Sequence, residues 1–445
     1  MTEEKRPDRE QAPLRVLAAV RLFTGLQRSL TERRWAPSGA PAIYRLLERL
    51  AKEPGVDADI VFLVRDPETA AAFPRGARFE MPPLGQIRIL PYRRLGGPRL
   101  STVATEVAQA AQLTALALRR RTQVAYFTNA AFPAAALFAR LGLAGVVLRI
   151  MGLFPHHRAL VEGRGRLAGL QRWLYRAPFD HVICTEEGSG AQSLLPKLLA
   201  AETPLSVLLN GVEASKTDRE EIDALRADWS AAQRPIVLFL GRLVSYKGCD
   251  AFVEAALTLL ARDPGCAQFH LIGDGERRAA LAARVKEAGR ASAIHLHGPL
   301  PHAQVNRWLA ASDVYVSGNL HGNLSNANLE ALANGCCLVL PESDPASGRD
   351  LATDAMIPPD VAPRYRPDPA GESLAEVLQG LLDDGPRRAA CGRAAARIAG
   401  ESLGDWETRI AREIDIIRRV AHPDAERRKP ENRRPSAAQE RQDGR

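Results

Sequence analysis

Arg242, Lys247, Ser325, Asn326 and Glu330 are the residues of this 445-residue chain whose types and spacing could do chemistry, and that chemistry is the handling of phosphate and polyol. The last three lie in residues 321–335, His-Gly-Asn-Leu-Ser-Asn-Ala-Asn-Leu-Glu-Ala-Leu-Ala-Asn-Gly. Short apolar runs precede this stretch at 313–317 and follow it at 337–340. Its first half is small and polar, while Leu329, Leu332 and Ala333 fall at helical spacing in the second. Ser325 or Asn326 stands where a helix N-cap belongs, and Gly335 where a helix stops. A helix N-terminus at the carboxyl end of a parallel strand offers free backbone N–H groups and the positive end of the dipole, a seat for phosphate. Glu330, about one turn along, could then reach a neutral polyol such as a ribose, where one carboxylate suits two hydroxyls. An ordinary strand-to-helix connection has the same outline, so this stretch alone leaves both readings open.

The preceding loops weigh on the choice. After an apolar run at 236–240 comes Gly241-Arg-Leu-Val-Ser-Tyr-Lys-Gly248, and then a helical pattern with Phe252, Ala255, Ala256, Leu259 and Leu260 on one face. Two cations on a loop entering a helix can clamp a diphosphate, Arg242 as a planar fork and Lys247 as a mobile point charge. Only seven of the 60 basic residues are lysines, which makes a lysine here informative. The next run ends in Gly273-Asp274-Gly275, a tight turn that admits a ligand to the backbone. The one after ends in Gly298-Pro-Leu300-Pro-His302. Three successive loops thus bring glycine-rich or basic sequence to one sheet edge.

The elements that must position these loops alternate between strand and helix, the pattern of open parallel sheets. Strand-like runs at 14–20, 59–64, 87–90, 124–127, 146–150, 181–184 and 206–209 form a first set. A helix is expected at 41–50, joined to the first strand by a long Arg-, Gly- and Pro-rich loop at 21–40. Runs at 236–240, 269–272, 294–297, 313–317 and 337–340 form a second set. The expected organisation is a disordered N-terminus at 1–13, a first domain at 14–212, a polar connection at 213–233 and a second domain at 234–402. An amphipathic helix at 403–420 with Trp406, Ile410, Ile414 and Ile417 on one side follows, then a disordered tail at 421–445. Two Rossmann-like domains with parallel sheets facing across a cleft result, each binding at the carboxyl ends of its strands.

On these residues the second half resembles the family-4 retaining glycosyltransferases of the GT-B fold class, the glycosyl transferases group 1. The matching pieces are G-R-L-x(3)-K-G at 241–248, G-D-G-x-x-R at 273–278, S-D-V-Y-V at 312–316 and N-L-S-N-A-N-L-E-A-L-A-N-G at 323–335. Asn210-Gly-Val212 and Trp406-Glu407 also look like that family. The resemblance implies a GT-B architecture whose second domain binds a nucleotide-diphospho-sugar, with Arg242 and Lys247 on the diphosphate, backbone N–H groups of Leu324, Ser325 and Asn326 on phosphate, and Glu330 on the ribose. Gly241, Gly273, Asp274, Gly275 and Leu300 would complete the donor site. It implies hexosyltransferase-like transfer to a saccharide or lipid-linked saccharide, in bacterial cell-surface polysaccharide or glycolipid synthesis, with no cofactor beyond the donor. Metal independence is expected because Arg242, Lys247 and a helix N-terminus already supply positive charge where no carboxylates cluster. Two departures stand out. The first Glu of the family's E-x(7)-E falls at Gly322, beside His321, and the His of its H-G pair falls at Met151, before Gly152. They keep a catalytically inactive binding or regulatory protein as the alternative. A nicotinamide-dependent oxidoreductase is disfavoured, because no strand runs into G-x-G-x-x-G with an acidic residue about 20 positions on.

Composition narrows the partners. An apolar fraction of 46% fits full globular cores. The net charge of +8 comes from arginine and suits an anionic substrate or membrane face. Aromatics are few and not interleaved with basic residues, which argues against nucleic acid. Six cysteines without a C-x-x-C pair point to neither a disulfide framework nor a zinc site, and Cys336 and Cys337 read as packing residues. Residues 1–13 are charged and lack the apolar core of a leader, so a cytoplasmic protein is expected. Asp57-Ala-Asp59 reads as a solvated pair at a turn, His156 and His157 as surface-loop residues, and His295 and His297 as core or rim residues. Arg93, Arg94, Arg99 and Arg119 to Arg121 flank a helix at 103–118. Solvated faces are the default, a basic rim beside an apolar helix would also suit anionic lipid headgroups, and the resemblance favours the latter, with peripheral attachment to the inner face of the membrane.

Overall fold

The computed structural model describes residues 12–213, 218–228 and 234–422. The first sheet has eight strands: β1 (Leu14–Arg21), β2 (Val56–Leu63), β3 (Ala77–Met81), β4 (Gly85–Leu90), β5 (Val124–Thr128), β6 (Gly145–Ile150), β7 (His181–Glu186) and β8 (Leu205–Leu209). Their order is β3-β4-β2-β1-β5-β6-β7-β8, parallel except for β3 against β4. The second sheet contains β9 (Ile236–Leu240), β10 (Gln268–Ile272), β11 (Ile294–Gly298), β12 (Val314–Val316), β13 (Cys337–Pro341) and β14 (Arg364–Tyr365). It is wholly parallel in the order β11-β10-β9-β12-β13-β14. Helices cover both faces of each sheet, so the central strands are buried throughout and read as unbroken apolar runs. β3 is an edge strand that alternates half-buried and exposed residues before the buried Met81, and β14 is two residues long. Neither has the apolar run by which the other strands are recognised, and both escape the sequence reading.

Three further expectations are corrected. The stretch 21–40 is not all loop, since Thr24–Thr31 is a helix that buries Leu26 and Leu30. Asp57 and Asp59 lie inside β2 rather than on a turn, and Arg120 holds both carboxylates at 2.7 Å. His156 and His157 sit on the helix Pro155–Val161. His157 is fully buried, accepting from the Phe154 N–H at 3.0 Å and meeting the Tyr175 hydroxyl at 3.1 Å. The expected disordered N-terminus lies outside the described residues except at 12 and 13, and the expected tail does so beyond His422. Within the expected connection, the helix Arg219–Asp228 docks on the second domain through Arg226 and Asp313, 3.1 Å apart.

The helix Trp406–Ala421 carries the chain back to the first domain. Ile410, Ile414, Ile416 and Ile417 join a core formed with Leu46, Leu47 and Tyr126. Four buried isoleucines at about 1.5–3 kcal/mol each offset the desolvation of the charges they bring, provided those charges pair. They do: Glu413 is fully buried, 3.1 Å from Arg149 of β6 and 2.7 Å from Arg409, and it accepts from the Tyr126 hydroxyl at 2.8 Å. Where the chain crosses between domains, Val212 pairs with Asp405, so the outgoing and returning segments run side by side. Glu413→Ala strands two buried guanidinium groups and should cost about 3–5 kcal/mol in chemical denaturation of the full chain. A loss under about 1 kcal/mol would mean the pair does not hold the helix.

Candidate active site

The second sheet reverses its strand order between β9 and β12, and the crevice at the carboxyl ends of these strands is the place where such sheets bind ligands. A cavity of about 520 Å³ opens there against the first domain. Gly241, Arg242 and Lys247 line it from the loop after β9, and Leu324, Ser325 and Asn326 line it from the start of the helix Asn326–Ala333. The first domain contributes Gly39 to Ala42, Met151, Thr185, Glu187 and Asn210. The Asn210 amide donates to Asn326 Oδ1 at 2.6 Å across the domain boundary.

Of the residues the sequence placed at this site, Gly273, Asp274, Gly275, Leu300 and Glu330 do not line the cavity. The Gly273-Asp274-Gly275 turn lies behind the loop that follows β9. A Cβ at Gly273 would fall 1.8 Å from the Gly241 carbonyl oxygen, one at Gly275 2.4 Å from that of Leu243, and the Leu243 N–H bonds the Asp274 carbonyl at 3.0 Å. These glycines admit a neighbouring loop's backbone. Glu330 is buried in the helix Asn326–Ala333 itself, and Leu300 packs among the apolar residues on the same side of the sheet.

The helix N-terminus is held from behind by asparagines that sequence reading missed. Asn323 and Asn328 are fully buried. Asn323 accepts from Ser317 Oγ at 2.8 Å, and its amide donates to Asp350 Oδ2 at 2.8 Å. Asn328 accepts from the Tyr315 hydroxyl at 2.9 Å and from Ser325 Oγ at 3.0 Å. Ser325 is therefore spent sideways, and no side chain caps the helix. Its first N–H groups face the cavity end uncapped, as phosphate recognition requires. Asp350, with a left-handed backbone at φ 63°, receives the Asn323 N–H at 2.7 Å, while its own N–H bonds the first domain's Gly188 carbonyl at 2.7 Å. A buried residue held in that strained conformation joins the loop to the opposite domain.

Burial sets the charges. Lys247 is held below the ordinary lysine pKa by burial, Glu187 opposing and Arg242 adding to the effect. Glu187 is raised to about 7 by burial, against the pull of Lys247. Glu330 is raised to about 7 by burial, helped by Glu213. Among the described residues, neither Arg242 nor Lys247 has a carboxylate at ion-pair distance, and no three His, Cys, Asp or Glu residues gather as a metal site. His270, His295 and His297 do cluster on the second sheet, where His270 Nδ1 meets His297 Nε2 at 2.9 Å and Trp308 packs edge-on. Cys336 and Cys337 are buried packing residues. At position 322, φ is 139° and a Cβ would lie 2.2 Å from the Glu187 carbonyl oxygen, so a glutamate there would not fit this closed seam.

Residues 234–384 match the family model described as glycosyl transferases group 1. The alpha-D-kanosaminyltransferase of Streptomyces kanamyceticus is 27% identical over 199 residues, 43% of this chain and 49% of that protein. A lipopolysaccharide core biosynthesis glycosyltransferase of Rhizobium meliloti (strain 1021) is 32% identical over 123 residues, 28% of this chain and 34% of that protein. The chain spans about half the length of the curated relatives it matches. Sucrose-phosphate synthase from Thermosynechococcus elongatus shares the fold across 91% of this chain and 98% of its own, with a TM-score of 0.65 and 17% identity. The architecture is the GT-B one of two Rossmann-like domains, as the resemblance implies.

The raised Glu330 carboxyl has a consequence for stability. Its folded pKa of about 7 exceeds the ordinary 4.5, so its stabilising contribution is complete below pH 4.5 and is lost as pH rises to about 7. The loss is on the order of 3 kcal/mol. The Tm of Glu330→Gln relative to wild type should therefore rise between about pH 5 and about pH 8. A flat difference would show that burial does not press on this carboxyl.

Proposed function

We propose that this protein, whose residues 234–384 match the family model of the glycosyl transferases group 1, moves a sugar from a nucleotide-diphospho-sugar to a saccharide or lipid-linked saccharide acceptor. The observation that carries this reading is the meeting, in one interdomain cavity, of two cations without ion-pair partners among the described residues and a helix N-terminus that no side chain among them caps. The leaving group is a nucleoside diphosphate. Negative charge grows on it as the glycosidic bond breaks, and preorganised positive groups that meet such charge are usually the largest catalytic term. Arg242 and Lys247 would take the phosphate oxygens, and the N–H groups at Leu324 to Asn326 would take the remainder, while Glu330 stands behind the cavity wall, out of line with the ribose role the resemblance implies. The cleft, walled by both domains, limits water and hence donor hydrolysis. We read the transfer as retaining, through attack on the same face within an ion pair.

That clamp supplies the charge a divalent metal would otherwise bring, so transfer from a matched donor should survive exhaustive chelation. Lys247→Ala should lower kcat/KM by about two orders of magnitude. Arg242→Ala should act alike, and the double variant should be less than additive because both serve one diphosphate. Wild-type turnover in Lys247→Ala would remove the site assignment, and activity restored only by magnesium or manganese would refute metal independence. Position 322 without a side chain, and Met151 in the cavity wall, favour the second reading, an inactive binding protein. Nucleotide binding with neither transfer nor donor hydrolysis would establish it.

The reading extends to the inner membrane face. Among the described residues no helix is long and apolar enough to cross a membrane. The helix Pro98–Arg120 leaves Val103 and Val107 exposed beside Leu137 and Trp173, around an apolar groove of about 270 Å³, with the Arg140 guanidinium 3.7 Å above the Trp173 ring. Arg120 is taken up by Asp57 and Asp59, which leaves Arg93, Arg94, Arg99, Arg119 and Arg121 for headgroups. The protein should sediment with anionic vesicles at low salt and be released as salt rises. Equal recovery in the supernatant with neutral and anionic vesicles would exclude attachment.

A further inference from the structure

Among the described residues lining the interdomain cavity, Glu187 is the sole carboxylate. It follows β7 in the first domain and faces the second domain's clamp closely enough that it and Lys247 shift each other's titration. Its place is built rather than incidental. The carboxylate lies over Gly152, where a Cβ would fall 1.7 Å from Oε1, and φ of 142° there is itself a conformation L side chains avoid. On the other side its carbonyl accepts the Leu324 N–H at 3.1 Å, and the bare Gly322 backbone closes over it. One residue thus touches the loop that carries the phosphate seat through its main chain and presents a carboxylate to the cavity through its side chain. No other anionic acceptor lines that space, for Met151 is apolar and position 322 has no side chain.

A carboxylate kept in a desolvated cleft is costly unless something there hydrogen-bonds to it. On the transferase reading the cations Arg242 and Lys247 are engaged by the diphosphate. What hangs from that diphosphate is a polyol, whose hydroxyls donate to carboxylates. We propose, resting on the transferase reading, that Glu187 accepts hydrogen bonds from hydroxyl groups of the sugar being transferred and holds that sugar between the first domain and the diphosphate clamp. Specificity for the sugar then comes from the first domain's wall, and recognition of the nucleoside diphosphate from the second.

The two contributions separate experimentally in the full-length protein. Calorimetry with UDP, GDP and ADP, and with UDP-glucose, UDP-N-acetylglucosamine and GDP-mannose, finds the nucleotide that binds wild type. Glu187→Gln and Glu187→Ala should bind that nucleoside diphosphate within about twofold of wild type, while kcat/KM for the matched nucleotide sugar falls at least about 100-fold in Glu187→Ala. Glu187→Asp, which keeps the charge, should recover part of the loss. Equal weakening toward nucleoside diphosphate and nucleotide sugar would make Glu187 part of the clamp and overturn the proposal. A change confined to the acceptor KM would assign its partner hydroxyl to the acceptor and overturn it likewise, as would wild-type turnover. A wild-type protein that binds none of the nucleotides would overturn the transferase reading and this proposal with it, whereas nucleotide-binding wild type with unaltered variants would overturn the role of Glu187 alone.

Discussion

The buried contact between Arg149 and Glu413 is the constraint on which the rest depends. Neither side chain reaches solvent, so neither charge is tolerable without the other. Glu413 arrives on the returning helix after the chain has built the whole second domain, which makes the two chain crossings and the first core one structural unit. Arg149 also donates to the Ile150 carbonyl at 2.6 Å and to Thr185 Oγ1 at 2.8 Å. The same guanidinium therefore holds the carboxyl ends of β6 and β7, and directly beyond those ends stand Met151, Gly152 and Glu187.

The opposite wall is held as firmly, by uncharged groups. A net of asparagine, serine and tyrosine side chains fixes the start of the helix Asn326–Ala333 without using up its N–H groups. Asp350 ties that net to the first domain. Arg158 does the same nearby, donating to the Ser189 carbonyl at 2.9 Å and to that of Ser347 across the boundary. In the cleft so formed, burial moves Lys247 and Glu187 toward their neutral forms, as it does Glu330 behind the cavity wall. An anionic phosphate beside Lys247 would favour its charged form again, so the cleft is electrically suited to the ligand proposed for it.

Much of this was legible beforehand because parallel strands covered on both faces must be apolar from end to end. Both sheets' central strands, the cationic loop at 241–248 and the helix start at 324–326 announce themselves by local pattern. The misses share a cause. β3 and the helix Thr24–Thr31 are short elements among arginines, glycines and prolines, stabilised by the core they border rather than by their own periodicity. His157 reads as a loop residue until its buried partner Tyr175 is seen, 18 positions away. Asp57 and Asp59 read as solvated until Arg120 is seen opposite them.

By itself the sequence determined the α/β alternation, the division into two Rossmann-like halves and the cationic loop with its helix N-terminus, because each is written in residues adjacent along the chain. Tertiary structure alone decided that Gly273 and Gly275 serve a neighbouring loop, that position 322 has no room for a side chain, and that Glu187 enters the cavity. These are matters of which backbone lies against which across the seam between domains. Hydrogen-bond partners more than 100 positions apart, such as Asn210 with Asn326 and Glu187 with Leu324, leave no periodicity and no spacing to read.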